Sequence, residues 1–180
     1  MNRLPDLTGK TVLVVGSAQC VISAAHADYV IAASGGIKNA PTADMLVTID
    51  NVMPPHAAGA DVGFTGLRVS GVPSDDPAHV YVPFHYEHVQ VGPSRTVHVR
   101  NNGVSAIRLA ADRGAKRILL AGFDPAGYDA FNADFGYDGV TAAAIPALIA
   151  ELAARGITVE FYSQPEPASV KRSKTWPMST

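Results

Sequence analysis

The chain has 180 residues, 47% of them apolar, and a formal net charge of −2. That length fits one domain with a substantial buried core, and the composition excludes a disordered or collagen-like chain. The near-neutral charge gives no general pull toward nucleic acid or anionic membrane, and Cys20 stands alone, which excludes an internal disulfide and a cysteine-ligated metal cluster.

The opening MNRLPDLTGK lacks an apolar signal core, and no apolar run approaches membrane-spanning length, so a cytoplasmic protein is expected. Thr11-Val12-Leu13-Val14-Val15 is an unbroken β-branched run ending at Gly16, the pattern of a central strand buried on both faces. A helix-compatible stretch, Ala18 to Ala27, follows. Tyr29 to Ala33 is a second apolar run, closed by Ser34-Gly35-Gly36. Met45 to Ile49 is a third, closed by Asp50-Asn51.

The middle of the chain, residues 52–100, is rich in Pro, Gly and His and reads as a loop-rich insertion, a candidate lid. It has one or two short strands, in pieces such as His79-Val80-Tyr81-Val82 and Val97-His98-Val99. Order returns at Gly103, where Val104, Ile107, Ala110 and Ala111 share one helix face and Gly114 can supply a left-handed cap. Ile118 to Ala121 reads as a buried strand, Val140 to Arg155 as a helix stopped by Gly156, and Thr158 to Tyr162 as a last strand. The tail, residues 164–180, carries three prolines with Lys171, Arg172 and Lys174, and reads as a flexible end or a basic contact arm. The alternation of strands and helices predicts one three-layer, Rossmann-like α/β domain over residues 1–163, with a mostly parallel sheet.

In such a sheet, ligands bind in the crevice outside the carboxyl ends of the strands. Five segments converge there: Gly16-Ser17-Ala18, Ser34-Gly35-Gly36, Asp50-Asn51, Gly122-Phe123-Asp124 and the helix start Asn101-Asn102-Gly103. Asn102 is expected to cap the helix by accepting from the Ser105 amide, Gly103 to leave room for a ligand, and the free N–H groups of the helix end to attract an anion. Each segment also reads plainly as a turn or cap, and their convergence is what favours a small-molecule site.

Several sites are excluded. Gly16-Ser17-Ala18-Gln19-Cys20 is not the dinucleotide G-x-G-x-x-G, and no acidic residue ends the second strand. Gly9-Lys10-Thr11 imitates the end of a phosphate loop but precedes its strand, and no G-x-S-x-G elbow is present. His79, His85, His88 and His98 fall in the middle region, where His85 and His88 are candidate general bases on a lid. As a metal pair they lack a third ligand.

From residue 100 to 124, RNNGVSAIRLAADRGAKRILLAGFD resembles a bacterial and prophage family related to 6-hydroxymethylpterin diphosphokinase, and is similar to the single-domain bacterial sialyltransferases that use CMP-sialic acid. VLVVGSA and ADYVIAASGGIKNAPTADMLVTIDN resemble the first three strands of the same family. The resemblance implies that Gly16, Ser17, Ser34 and Gly35 face a nucleotide, that Asn101, Asn102 and Gly103 hold phosphate or ribose, and that Gly122, Phe123 and Asp124 line a base or sugar pocket. It makes Asp50 a holder of Mg²⁺ and a CMP-type nucleotide or nucleotide sugar the expected ligand. The chain departs from the family where Ala18-Gln19-Cys20 replaces Gly-Pro-Ser, where Ser34 replaces Asn, and where no histidine follows His98.

Three functions follow as expectations. The first is a glycosyltransferase-like transferase with His85, His88 or Asp124 in catalysis. The second is a Mg²⁺-dependent diphosphokinase using Asp50 and Asp124, and the third a nucleotide-binding module without chemistry. A small molecule is the expected partner; a homo-oligomer is left open.

Overall fold

The computed structural model describes residues 3–18, 20, 22, 26–50, 53, 57–84, 87–91, 95–99, 101–123 and 140–162. Its elements are β1 (Thr11–Val15), β2 (Tyr29–Ala33), β3 (Met45–Thr48), β4 (Leu67–Ser70), β5 (His79–Tyr81), β6 (Glu87–Val91), β7 (Arg95–Val99), α1 (Asn102–Asp112), β8 (Arg117–Ala121), α2 (Val140–Ala154) and β9 (Thr158–Phe161). A 3-10 helix, Ser34–Lys38, follows β2 directly.

Seven strands form one all-parallel sheet in the order β5-β4-β3-β2-β1-β8-β9. This is the α/β, Rossmann-like architecture that the apolar runs predict. β1 lies inside because its side chains are apolar on both faces: Val12, Leu13, Val14 and Val15 are each 1% exposed or less. On one face Val12, Val14, Ile31, Met45, Ile118 and Leu120 pack against Val104 and Ile107 of α1 and Leu148 and Leu152 of α2. On the other, Leu13, Val15, Ala32, Leu46 and Leu119 pack against Ile37 of the 3-10 helix. Each such aliphatic side chain contributes roughly 1.5–3 kcal/mol by leaving water.

The two α-helices among the described residues end in the same device. Gly114 takes φ +94° while its N–H reaches Ala111 and that of Ala115 reaches Ala110. Gly156 takes φ +76° with the equivalent bonds to Ala153 and Leu152. The amino edge of the sheet is tied by carboxylates: Asp28 accepts from the Thr11 amide and Asp44 from the Val30 amide, each at 2.8 Å. There burial, with Asp44 nearby, pushes the Tyr29 phenol up to about 12.

The middle region corrects the expectation of a loop-rich insertion. β4 and β5 extend the main sheet outward from β3, and β6 and β7 form an antiparallel ribbon that packs against α2. The reason is compositional. Leu67-Arg68-Val69-Ser70 alternates apolar with polar, because one face of this outer part of the sheet is polar. The helix expected over residues 18–27 falls largely on positions outside the described residues, as do residues 164–180. Among the described residues, no helix is long and apolar enough to cross a membrane.

Candidate functional site at the strand-order reversal

The chain builds the sheet outward from β1 to β5, then crosses to the other side of β1 and lays down β8 and β9. The order therefore reverses between β1 and β8, the position at which open α/β sheets form a ligand crevice. The two strands end side by side at Gly16 and Gly122.

At that point the backbones touch. The Gly16 amide donates to Ala121 at 2.7 Å and the Ala18 amide to Gly122 at 3.3 Å. A Cβ on Gly16 would lie 2.5 Å from the Gly122 carbonyl oxygen, and one on Gly122 would lie 2.6 Å from that of Gly16. Asn39, just past the 3-10 helix, clasps the same loop: its Nδ2 donates to the carbonyls of Gly16 (3.1 Å) and Ala18 (2.8 Å). Asn39 escapes a sequence reading because Asn39-Ala40-Pro41 carries only a turn signal.

α1 begins beside this junction. Asn101 is the cap, with extended backbone and its Oδ1 accepting from the Gly103 amide (2.8 Å) and the Val104 amide (3.3 Å). This corrects the expectation that Asn102 caps through Ser105, whose amide instead donates to the Asn101 carbonyl. Asn102 is already helical, and its Oδ1 accepts from the Ile49 amide at 2.7 Å, tying α1 to the end of β3. Gly103 does not open space for a ligand either. A Cβ there would meet the Phe123 ring at 2.5 Å, and Phe123 is buried. The helix end is thus partly filled by the protein's own amide group, leaving fewer free N–H groups for an anion than expected.

Ser34 is the outlier of the crevice. It is a non-glycine residue at φ +47°, it is 5% exposed, and its hydroxyl has no partner among the described residues. Holding such a residue in the left-handed region costs roughly 1–3 kcal/mol, and an unpaired buried hydroxyl costs more. Gly35 follows it, buried in the 3-10 helix, and Ser17 lies half-buried after Gly16. Half-buried Cys20 has its thiol pushed up by burial, against a smaller opposing pull from Lys38.

The structure thus brings Gly16, Ser17, Asn101, Asn102, Gly103, Gly122 and Phe123 to the junction of β1, β8 and α1, with Ser34 and Gly35 on the adjacent β2. Asp50 is exposed after β3, which stands three strand spacings from β8, about 14 Å. No group of three His, Cys, Asp or Glu side chains suited to a metal occurs among the described residues. Asp124 and His85 lie outside the described residues. His88 stands opposite His98 in the β6–β7 ribbon. His79 belongs to β5, four strand spacings from β1, or about 19 Å. No protein-family model, curated protein or solved structure matches the chain.

Proposed function

We propose that the chain binds a nucleotide-type small molecule in the crevice between β1 and β8, and that it is a glycosyltransferase-like transferase using a CMP-type sugar donor. The observation that carries the binding reading is the reversal of strand order between β1 and β8, with the strained, buried Ser34 on the neighbouring strand end. Its unpaired hydroxyl is a donor and acceptor that a ribose or phosphate oxygen would satisfy. The transferase reading rests on the similarity of residues 100–124 to the sialyltransferase-like segment. A binding module without chemistry is the second reading, favoured by Ala18-Gln19-Cys20 in the first loop and by the lack of any histidine after His98 in the sequence.

The test is thermal melting with CMP, CDP, UDP, GDP and ATP, each with and without Mg²⁺. A ligand at a hundred times its dissociation constant adds about 2.7 kcal/mol of stability. A metal-independent shift with CMP, lost in Ser34→Ala although that variant melts normally alone, supports the reading. A shift with ATP only in Mg²⁺ moves it to the diphosphokinase. No shift with any nucleotide removes it. Asn102→Ala is unsuitable as the control, because it breaks the tie to Ile49.

A further inference from the structure

On the face of the sheet opposite α1 and α2, the outer strands carry an unexpected row. Leu46, Arg68 and His79 are register partners across β3, β4 and β5, and Thr48 and Tyr81 lie in the next row on the same face. Parallel sheets buried on both faces are apolar; this stretch is not. Beneath the turns of residues 57–64 it encloses a cavity of about 20 Å³, lined by Leu46, Thr48, Met53, Asp61, Arg68 and His79.

The polar groups of this cavity are not all used by the fold. Thr48 is 6% exposed, and its hydroxyl has no partner among the described residues. Arg68 gives one N–H to the Asp61 carboxylate and one to the Asp61 carbonyl, both at 2.8 Å, and lies 5.4 Å from the centre of the Phe64 ring. A guanidinium has five N–H groups, so three remain. The His79 Nδ1 is 2.8 Å from Ser74 Oγ, with an Asp76 carboxylate oxygen 3.6 Å away, and Nε2 has no partner among the described residues. The Thr48 hydroxyl and the remaining Arg68 N–H groups then offer hydrogen to the same space.

The rim differs from the floor. Tyr81, two residues along β5 from His79 and on the same face, is 52% exposed. The floor offers donors, and beside it the same face of the sheet offers an exposed aromatic ring. We propose that this is a second ligand site, separate from the crevice at β1 and β8, for a small carboxylic acid with an apolar or aromatic body. The carboxylate takes the donors of Thr48 and Arg68, and the body lies toward Tyr81 on the same face of the sheet. The cavity holds about one water, so a single carboxylate oxygen enters it while the rest of the ligand stays outside, and a phosphate tetrahedron does not fit. Because Asp61 balances Arg68, hydrogen bonds and not net charge hold the ligand, so the affinity belongs in the millimolar range.

The test uses the full chain with benzoate, benzamide and inorganic phosphate as probes, followed by ligand-observed NMR. Benzoate is expected to bind saturably and about tenfold more tightly than benzamide, a difference of about 1.4 kcal/mol. Thr48→Val keeps the packing and removes only the unpaired hydroxyl. It should melt at or above the parent temperature while binding benzoate at least several-fold more weakly. Tyr81→Ala alters an exposed side chain and should weaken benzoate similarly, which keeps the test decisive if Thr48→Val fails to fold. The proposal is overturned if benzoate shows no saturable binding, if benzamide or phosphate binds as well, or if neither variant changes benzoate binding.

Discussion

The two halves of the sheet solve different problems. Around β1 and β8 both faces are apolar, the strand ends are glycines in backbone contact, and the amide side chains of Asn39, Asn101 and Asn102 take up backbone donors and acceptors. Around β4 and β5 one face is polar, the covering turns are held by the Arg68–Asp61 pair, and a cavity remains. Close packing leaves the first region with few spare polar groups, Ser34 among them. Loose packing leaves the second with several. A spare buried polar group is therefore more informative at the junction, where almost everything else is satisfied.

Identical substitutions should separate the halves. Gly122→Ala adds a Cβ at φ +69° that lies 2.6 Å from the Gly16 oxygen and 2.9 Å from that of Ala18. Strain and overpacking together are expected to cost about 2–5 kcal/mol, lowering Tm by roughly 5–15 °C. Gly63→Ala in the turns above the polar face has φ +80° but nothing within 4 Å, so only the backbone term of about 1 kcal/mol applies. Equal losses in chemical denaturation would break the comparison.

The two asparagines of α1 give the next test. Asn102→Ala leaves the Ile49 amide, in a residue 5% exposed, without its acceptor, at a cost of about 1–3 kcal/mol. Asn101→Ala removes a cap from a more accessible end and should cost about 1 kcal/mol. A larger loss for Asn101→Ala would mean that the helix cap outweighs the tie to β3.

Smaller effects lie at the surface. Arg108 of α1 holds Glu151 of α2 through two hydrogen bonds, and these keep the Glu151 carboxyl below its ordinary 4.5. A lowered carboxyl stabilises the fold above that value and ceases to do so as pH falls through the lower folded one. Arg108→Ala should therefore cost up to about 1 kcal/mol at pH 7 and progressively less below pH 4.5, when melting curves are compared across that range. The raised Cys20 thiol predicts slower alkylation by iodoacetamide at pH 7 than a free cysteine shows, with unfolding in urea restoring the ordinary rate.

β1, β2, β3 and β8 were legible as short β-branched runs, because burial on both faces leaves no polar position to confuse the pattern. β4 was not legible: Leu67-Arg68-Val69-Ser70 matches a half-exposed strand or a loop equally well, and only the sheet decides. Gly16, Ser34 and Gly122 could be assigned to the crevice from their places after apolar runs. What their side chains or hydrogens meet could not, since Phe123 over Gly103 and Asn39 under Gly16 are contacts between distant segments. The cap was misassigned by one position because Asn101 and Asn102 are the same residue type and only the backbone at Asn101, φ −141° and ψ 135°, tells them apart.

The reversal of strand order also has a consequence for how the protein folds. β1 and β8 are register partners, Val15 beside Ala121, yet more than a hundred residues separate them along the chain. Closing a loop of that length costs roughly 4 kcal/mol of chain entropy beyond a constant term, before any contact across the junction repays it. β1 to β5 can pair through shorter connections, so the crevice is completed only when the carboxyl-terminal part of the chain docks. A ligand bound there would act as a bridge between early and late parts of the fold. Its clearest kinetic sign would be slower unfolding, with amide exchange in β8 and β1 slowed together.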